Sequence, residues 1–441
     1  MTTLALDDLP LDSRSPAERT DALEHAIGRL RASPPSPRDV VNLHCHSFFS
    51  YNAWGWSPTG IAVRCRAAGL SAAGLVDFDV LDGVDEFLAA AGRAGLRACA
   101  GIESRVYVPE FAHRVINSPG EPGIAYSMGV GFPRGDPGPE FHPFMARLRR
   151  IPGDRNRRVV EAVNAHLAPV ALDYDRDVIP LTPSGNATER HLCLAYARRA
   201  AGVYADRTAL AKFWSSKLRH TLTAADLPES PALLARIRAA TMKRGGPGYV
   251  PPHSGSFPTQ AEFWEWVRRA GAIPTVAWLD GVSEGESSTD EWLDLCAARG
   301  ACAINLIVDR MYTPGVEDER VKRLHGILEH ARRRNWPVFV GTEMNSPDNR
   351  FADDFSTAEL APYAGDFLAG ARLAHAHTRL QQHAGMGLLS PWAEQAFSSP
   401  KERNDFFHTA GYLLDPAVPY LPDGVTPESS PRELLEHICR P

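Results

Sequence analysis

Two periods of apolar spacing alternate along the chain. Short β-branched or apolar runs, compatible with strands, are each followed by a stretch with helical spacing. Asp39–His44 (DVVNLH) predicts a first strand, after which Ser57-Pro58 supplies an N-cap and first-turn proline for a helix ending near Gly69. Ala73–Asp77 predicts a second strand. Asp82-Gly83-Val84-Asp85 then opens a helix with acids where its dipole favours them, and Leu96–Glu103 predicts a third strand. The rhythm breaks at Pro109–Arg157, where SPGEPG and GFPRGDPGP predict a long ordered loop or lid. Val159–Lys243 reads as mostly helical, an insertion. Alternation resumes at the capping-box spacing Thr259-Gln260-Ala261-Glu262. Strands at Ile273–Trp278, Cys302–Val308 and Val338–Glu343 follow, separated by helices at Thr289–Arg299 and Glu317–Arg334.

Strands separated by helices imply parallel pairing through βαβ crossovers. No G-x-G-x-x-G follows the first strand, so an open dinucleotide-binding sheet is disfavoured. The expected fold class is α/β, a distorted (β/α) barrel with six visible strands and another hidden in the insertion. The expected organisation is an N-terminal helical extension (1–38), a barrel (39–345) holding the lid (109–157) and the helical insertion (about 159–243), and a C-terminal helical region (346–441) packed on the barrel.

A net charge of −6 at pH 7 argues against non-specific nucleic-acid binding, which needs clustered positive charge. No run of roughly eighteen apolar residues exists to span a membrane, and MTTLALDDLPLDSRSP has acids and prolines where a secretory signal needs a positive start. Seven cysteines, none in a C-x-x-C pair, read as free thiols in a reducing compartment. A cytoplasmic chain is expected.

Chemistry collects at the predicted strand ends, where barrel enzymes carry their functional groups. The first strand finishes in His44-Cys45-His46. Side chains two apart in a strand point the same way, so both imidazoles can reach one ion while Cys45 points elsewhere. The chain supplies a control in His375-Ala-His377, within a helical run, where the rings lie roughly 200° apart around the axis and cannot share an ion. The second strand ends in Asp77-Phe78-Asp79, the third in Glu103 with Arg105 two residues on, and the last in Glu343-Met344-Asn345. His44, His46, Glu103 and Glu343 thus make a four-point site for one divalent ion. Asp77 and Asp79 are candidates for general base or for partner of a ligating histidine. Arg105 suits a substrate carboxylate or phosphate, with a structural ion pair as the alternative. Near Asn186-Ala-Thr-Glu189, Arg190 falls in a helix's first turn where it would favour an anion, and His191 would carry a proton or add a ligand; a capped surface helix is the alternative. FWEW (263–266) reads as helix packing rather than a stacking platform.

The segments HCHSFFS, GLVDFDVLDG and AGIES, in that order, resemble the PHP (polymerase and histidinol phosphatase) superfamily over roughly Val40–Asp136 and Thr259–Asn345. That resemblance implies a distorted seven-stranded TIM-like barrel and a metal-dependent phosphoesterase, usually with two or three ions. It also shows departures. Tyr51 stands where an acid is usual, and Phe78, Tyr126 and Trp278 stand where histidines are usual. The closing motif reads Gly341-Thr342-Glu343-Met344-Asn345. The family's first metal position keeps counterparts in His44, His46, Glu103 and Glu343, while the ligands of the other ions are replaced. The resemblance therefore implies one retained transition ion (Zn²⁺, Mn²⁺ or Fe²⁺) and a partly aromatic cavity, with Tyr126 and Asn345 facing substrate.

The expected function is hydrolysis of a small anionic metabolite by one metal-activated water. The alternatives are a mononuclear lyase or isomerase that stabilises an enediolate, and a degenerate barrel kept for binding.

Overall fold

The computed structural model describes residues 6–223, 226–253, 255–316 and 318–439. Seven strands form one sheet in chain order: β1 Arg38–Cys45, β2 Leu70–Phe78, β3 Arg97–Tyr107, β4 Ile124–Val130, β5 Ile273–Trp278, β6 Ala303–Leu306 and β7 Val338–Val340. β1, β2 and β3 pair in parallel, as do β5, β6 and β7. β4 is antiparallel to both its neighbours. The sheet curls into a nearly closed barrel, its seam a parallel bridge between Cys45 and Glu343 and a hydrogen bond of 2.9 Å from His46 N to Glu343 O. The seam needs a close approach. A Cβ on Gly341 would collide with His44 backbone N.

The expectation that every strand is parallel is corrected by β4, and so is the expectation of a lid. The segment 109–157 holds β4, and a helix begins in it at His142 (His142–Leu167). β4 escapes a period-two reading because only seven residues of strand stand between the SPGEPG and GFPRGDPGP breakers, and because a strand without a crossover helix lacks the βαβ signature. The hidden strand therefore lies in the glycine- and proline-rich stretch and not in the helical one.

Two compact units divide the chain. The first comprises 1–47, 52–142 and 258–441, and the second 48–51 and 143–257. The second is helical, with helices at Glu189–Val203, Arg207–Leu218 and Pro231–Thr241 around buried Val163, Leu192, Tyr196, Trp214 and Leu233.

Within the first unit, the helix Ala364–Ala384 packs against β1, β2, β3 and β7. His375 Nδ1 meets the backbone of Ala98, at the start of β3, at 3.2 Å. His377 donates from Nε2 to Gly131 O at 3.1 Å and accepts at Nδ1 from Leu388 N at 2.9 Å. This helix covers the sheet at the end where β3 and β7 begin, and its His375 and His377 are structural. Phe263, Trp264 and Trp266 are buried in the helix Gln260–Arg269, so FWEW is packing. Among the described residues no helix is long and apolar enough to cross a membrane. All seven cysteines are free, five of them buried.

Candidate metal centre

β1 runs buried from Val40 to Cys45, and its two-residue repeat turns His44 and His46 to the same side. β2 and β3 run in register, Phe78 opposite Glu103, which brings the Glu103 carboxyl to the same end of the barrel. His44 Nε2 lies 3.3 Å from Glu103 Oε2, and His46 Nε2 lies 3.6 Å from the same oxygen. The three residues are 1%, 0% and 4% exposed. Their ligating atoms lie within 4.8 Å of one another. His44 Nε2 and Glu103 Oε2 have no hydrogen-bond partner despite this proximity. Buried polar atoms that point at one another without bonding are what a cation's donor set looks like. His/His/carboxylate donors fit a divalent transition ion.

The surroundings aim these atoms. Asn305, at the third position of β6, places Oδ1 2.9 Å from His44 Nδ1. With Nδ1–H donating there, the Nε2 lone pair is left facing Glu103. The Phe78 ring stacks on His46 at 4.3 Å and fixes its plane. Burial disfavours the His44 imidazolium, yet the facing Glu103 carboxylate carries its pKa upward. Burial also pushes the Glu103 carboxyl up.

Glu343 stands beside the trio. Its charge acts on both His44 and Glu103, while its carboxylate accepts a hydrogen bond from Arg310. Glu343 and Met344 both hold left-handed backbone (φ 62° and 58°), a conformation costly for residues with a Cβ. Asn345, next along, is half-buried.

Asp77 accepts from Ser47 N at 2.7 Å and Ser47 Oγ at 2.6 Å, so it holds the turn that follows His46. Asp79 also sits in left-handed backbone (φ 61°). Its amide donates to Glu103 O at 2.9 Å, and its carboxyl accepts from Ser104 Oγ at 2.6 Å. Burial pushes Asp79 up to about 6, against the Ser104 hydrogen bond. Arg105 pairs with Glu121 at 3.2 Å and its charge also reaches Asp79. Tyr126, half-buried in β4, donates its backbone N–H to Asn117 Oδ1 at 2.7 Å, and its ring lies 6.1 Å from that of Phe78.

Arg190 and His191 belong to the second unit. His191 is the third residue of its helix and closes a capping box with Thr188, accepting from Thr188 N at 3.1 Å. The Arg190 guanidinium lies 5.4 Å over the Tyr51 ring.

Asn305, Ser47 and Arg310 were not singled out by the sequence. The strand pattern seen in the sequence runs to Val308, but β6 stops at Leu306 and a turn at Val308–Arg310 carries Arg310 beside Glu343. An Asp-Arg pair straight after an apolar strand was the available signal.

No family model matches the chain, and no curated protein matches it. Among solved structures it is similar to an amidohydrolase from Chromobacterium violaceum, a structure with bound sulfate and no metal. The identity is 19%, the TM-score 0.50, and the match covers 75% of this chain and 96% of that one. A structure described as a proposed metal-dependent phosphoesterase from Bifidobacterium adolescentis aligns with 20% identity and a TM-score of 0.49 over 75% of this chain and 96% of its own. At 19% identity the likeness to the first is one of fold.

Proposed function

We propose that the chain is a mononuclear metal-dependent hydrolase of PHP type, acting on a small anionic ester. The observation that carries this reading is the convergence of buried His44, His46 and Glu103, whose ligating atoms all lie within 4.8 Å of one another. These three residues would hold the ion, with Glu343 joining them. When bound, a divalent ion supplies Lewis acidity and lowers the pKa of a water. The remaining work falls to the chain. Asp79, with a pKa near 6, holds or passes a proton close to neutral pH. Arg310, exposed beside Glu343, and Arg105 orient the anion. Phe78 and Tyr126 exclude bulk water. The first-named structural neighbour is called an amidohydrolase, so hydrolysis at carbon remains within the proposal beside the phosphoester. We further propose that the barrel is TIM-like, that the chain works in the cytoplasm and that its substrate is anionic.

The test is elemental analysis with a substrate panel. Purified protein is expected to hold about one transition ion per chain and to release phosphate from a phosphorylated metabolite. His46→Ala is expected to lose both, and His377→Ala to keep the ion. Equal metal loss in the two variants, or turnover only in a non-hydrolytic carbonyl assay, would overturn the reading.

A further inference from the structure

The loop between β1 and the helix Pro58–Ala67 carries an aromatic pair that the chemistry of the metal centre leaves unused. Trp54 and Trp56 stack with ring centroids 5.2 Å apart and 28° between their planes. Trp56 is held from several directions. The Arg64 guanidinium lies 4.5 Å over its ring, a favourable seat for a cation, and the Phe351 ring meets it edge to face at 6.1 Å. Arg64 is fixed in turn by Asp12 at 2.7 Å. Trp54 is 42% exposed, and among the described residues Trp56 is its one ring neighbour. A stacked partner covers one face of an indole, so the other face of Trp54 is left to water.

The same loop is tied to the metal centre at two points. Buried Asn52 donates from Nδ2 to His46 O at 2.9 Å. Its Oδ1 accepts from Trp54 N at 2.9 Å and from Trp56 N at 3.2 Å. Ala53 N donates to Met344 O at 3.0 Å, one residue past Glu343. One asparagine therefore joins the backbone of a candidate ligand to the backbone of both tryptophans. Scattered exposed apolar side chains are ordinary on a protein surface. This one differs in being stacked, braced from beneath and set beside the ion centre, so little ordering is left to cost affinity when a ligand arrives. Asp12 balances Arg64, which leaves the stack neutral and suited to the uncharged end of a substrate, while Arg310 beside Glu343 suits the charged end.

We propose that Trp54 determines specificity: its open face stacks on a flat aromatic ring carried by the ester. The proposal rests on the hydrolase reading for the anionic end of the substrate, but the ring contact itself needs no ion.

Calorimetric titration of the full chain with phenyl phosphate and cyclohexyl phosphate tests it. The two share an anionic end and a similar size, and one alone has a flat π-face. The wild type is expected to bind phenyl phosphate about fivefold more tightly. Trp54→Phe is expected to keep most of that preference, and Trp54→Ala to bind the two alike. Where turnover occurs, the preference is expected in KM and not in kcat. Phenol and cyclohexanol, which lack the phosphate, separate this proposal from the hydrolase reading. A ring preference in that pair with no gain in affinity from the phosphate would count against the hydrolase and not against the platform. The proposal is overturned if the wild type prefers the flat ring in neither pair, or if Trp54→Ala keeps the preference. It is also overturned if Trp54→Phe loses as much as Trp54→Ala, the mark of a residue that only packs.

Discussion

Asn305 decides which nitrogen of His44 carries the proton. Its Oδ1, 2.9 Å from Nδ1, selects the tautomer whose Nε2 is free to donate its lone pair. Asn305→Ala removes that selection without touching a donor atom, and metal affinity is expected to fall about 10–100-fold, measured by competition with a chromophoric chelator. Unchanged affinity would mean that packing alone holds the ring. The residues legible in the sequence were those whose roles follow from local spacing. His44 and His46 share a face because a strand repeats every two residues, and His375 and His377 do not because a helix does not. Asn305 and Arg310 were illegible because their roles depend on partners far along the chain, at His44 and Glu343.

At the scale of elements, the helix Ala364–Ala384 makes stability depend on pH. Burial pushes His375 down to about 3 and His377 down to about 4. Both stay neutral when folded, whereas the unfolded chain takes up protons below about pH 6.5. Their contribution is therefore fully present above that pH and is lost progressively as pH falls towards 4 and 3. Between pH 7 and pH 5 the loss is about 2 kcal/mol for each histidine. The urea midpoint is expected to drop over that range, and His377→Gln to flatten the drop; an equal slope in the variant would exclude His377 as a source. β4 shows where element prediction ran out. The alternation of strand and helix was readable, but an antiparallel strand between two glycine- and proline-rich runs carries neither the flanking helix nor the length that made its neighbours visible.

At the scale of the molecule, the barrel has two unlike ends. One is covered by the helix with the neutral histidines, while the other collects carboxylates and arginines. Its ring closes through few bonds, and one of them joins the His46 amide to the Glu343 carbonyl. An ion held by the His46 side chain therefore also braces the seam. Stripping the metal with a chelator is expected to speed hydrogen exchange of the His46 amide by at least about tenfold, read by mass spectrometry on peptides spanning residues 40–50. Exchange there indifferent to chelation would separate closure of the ring from loading of the centre.

Gly341 shows how narrow the tolerance is. With no side chain, it lets the last strand nestle directly against the backbone of His44. A single methyl placed there would act as a wedge between the last strand and His44, pushing Glu343 away from the His44 and Glu103 on which its charge acts. The fourth carboxylate would be lost to the centre while it was still present in the chain.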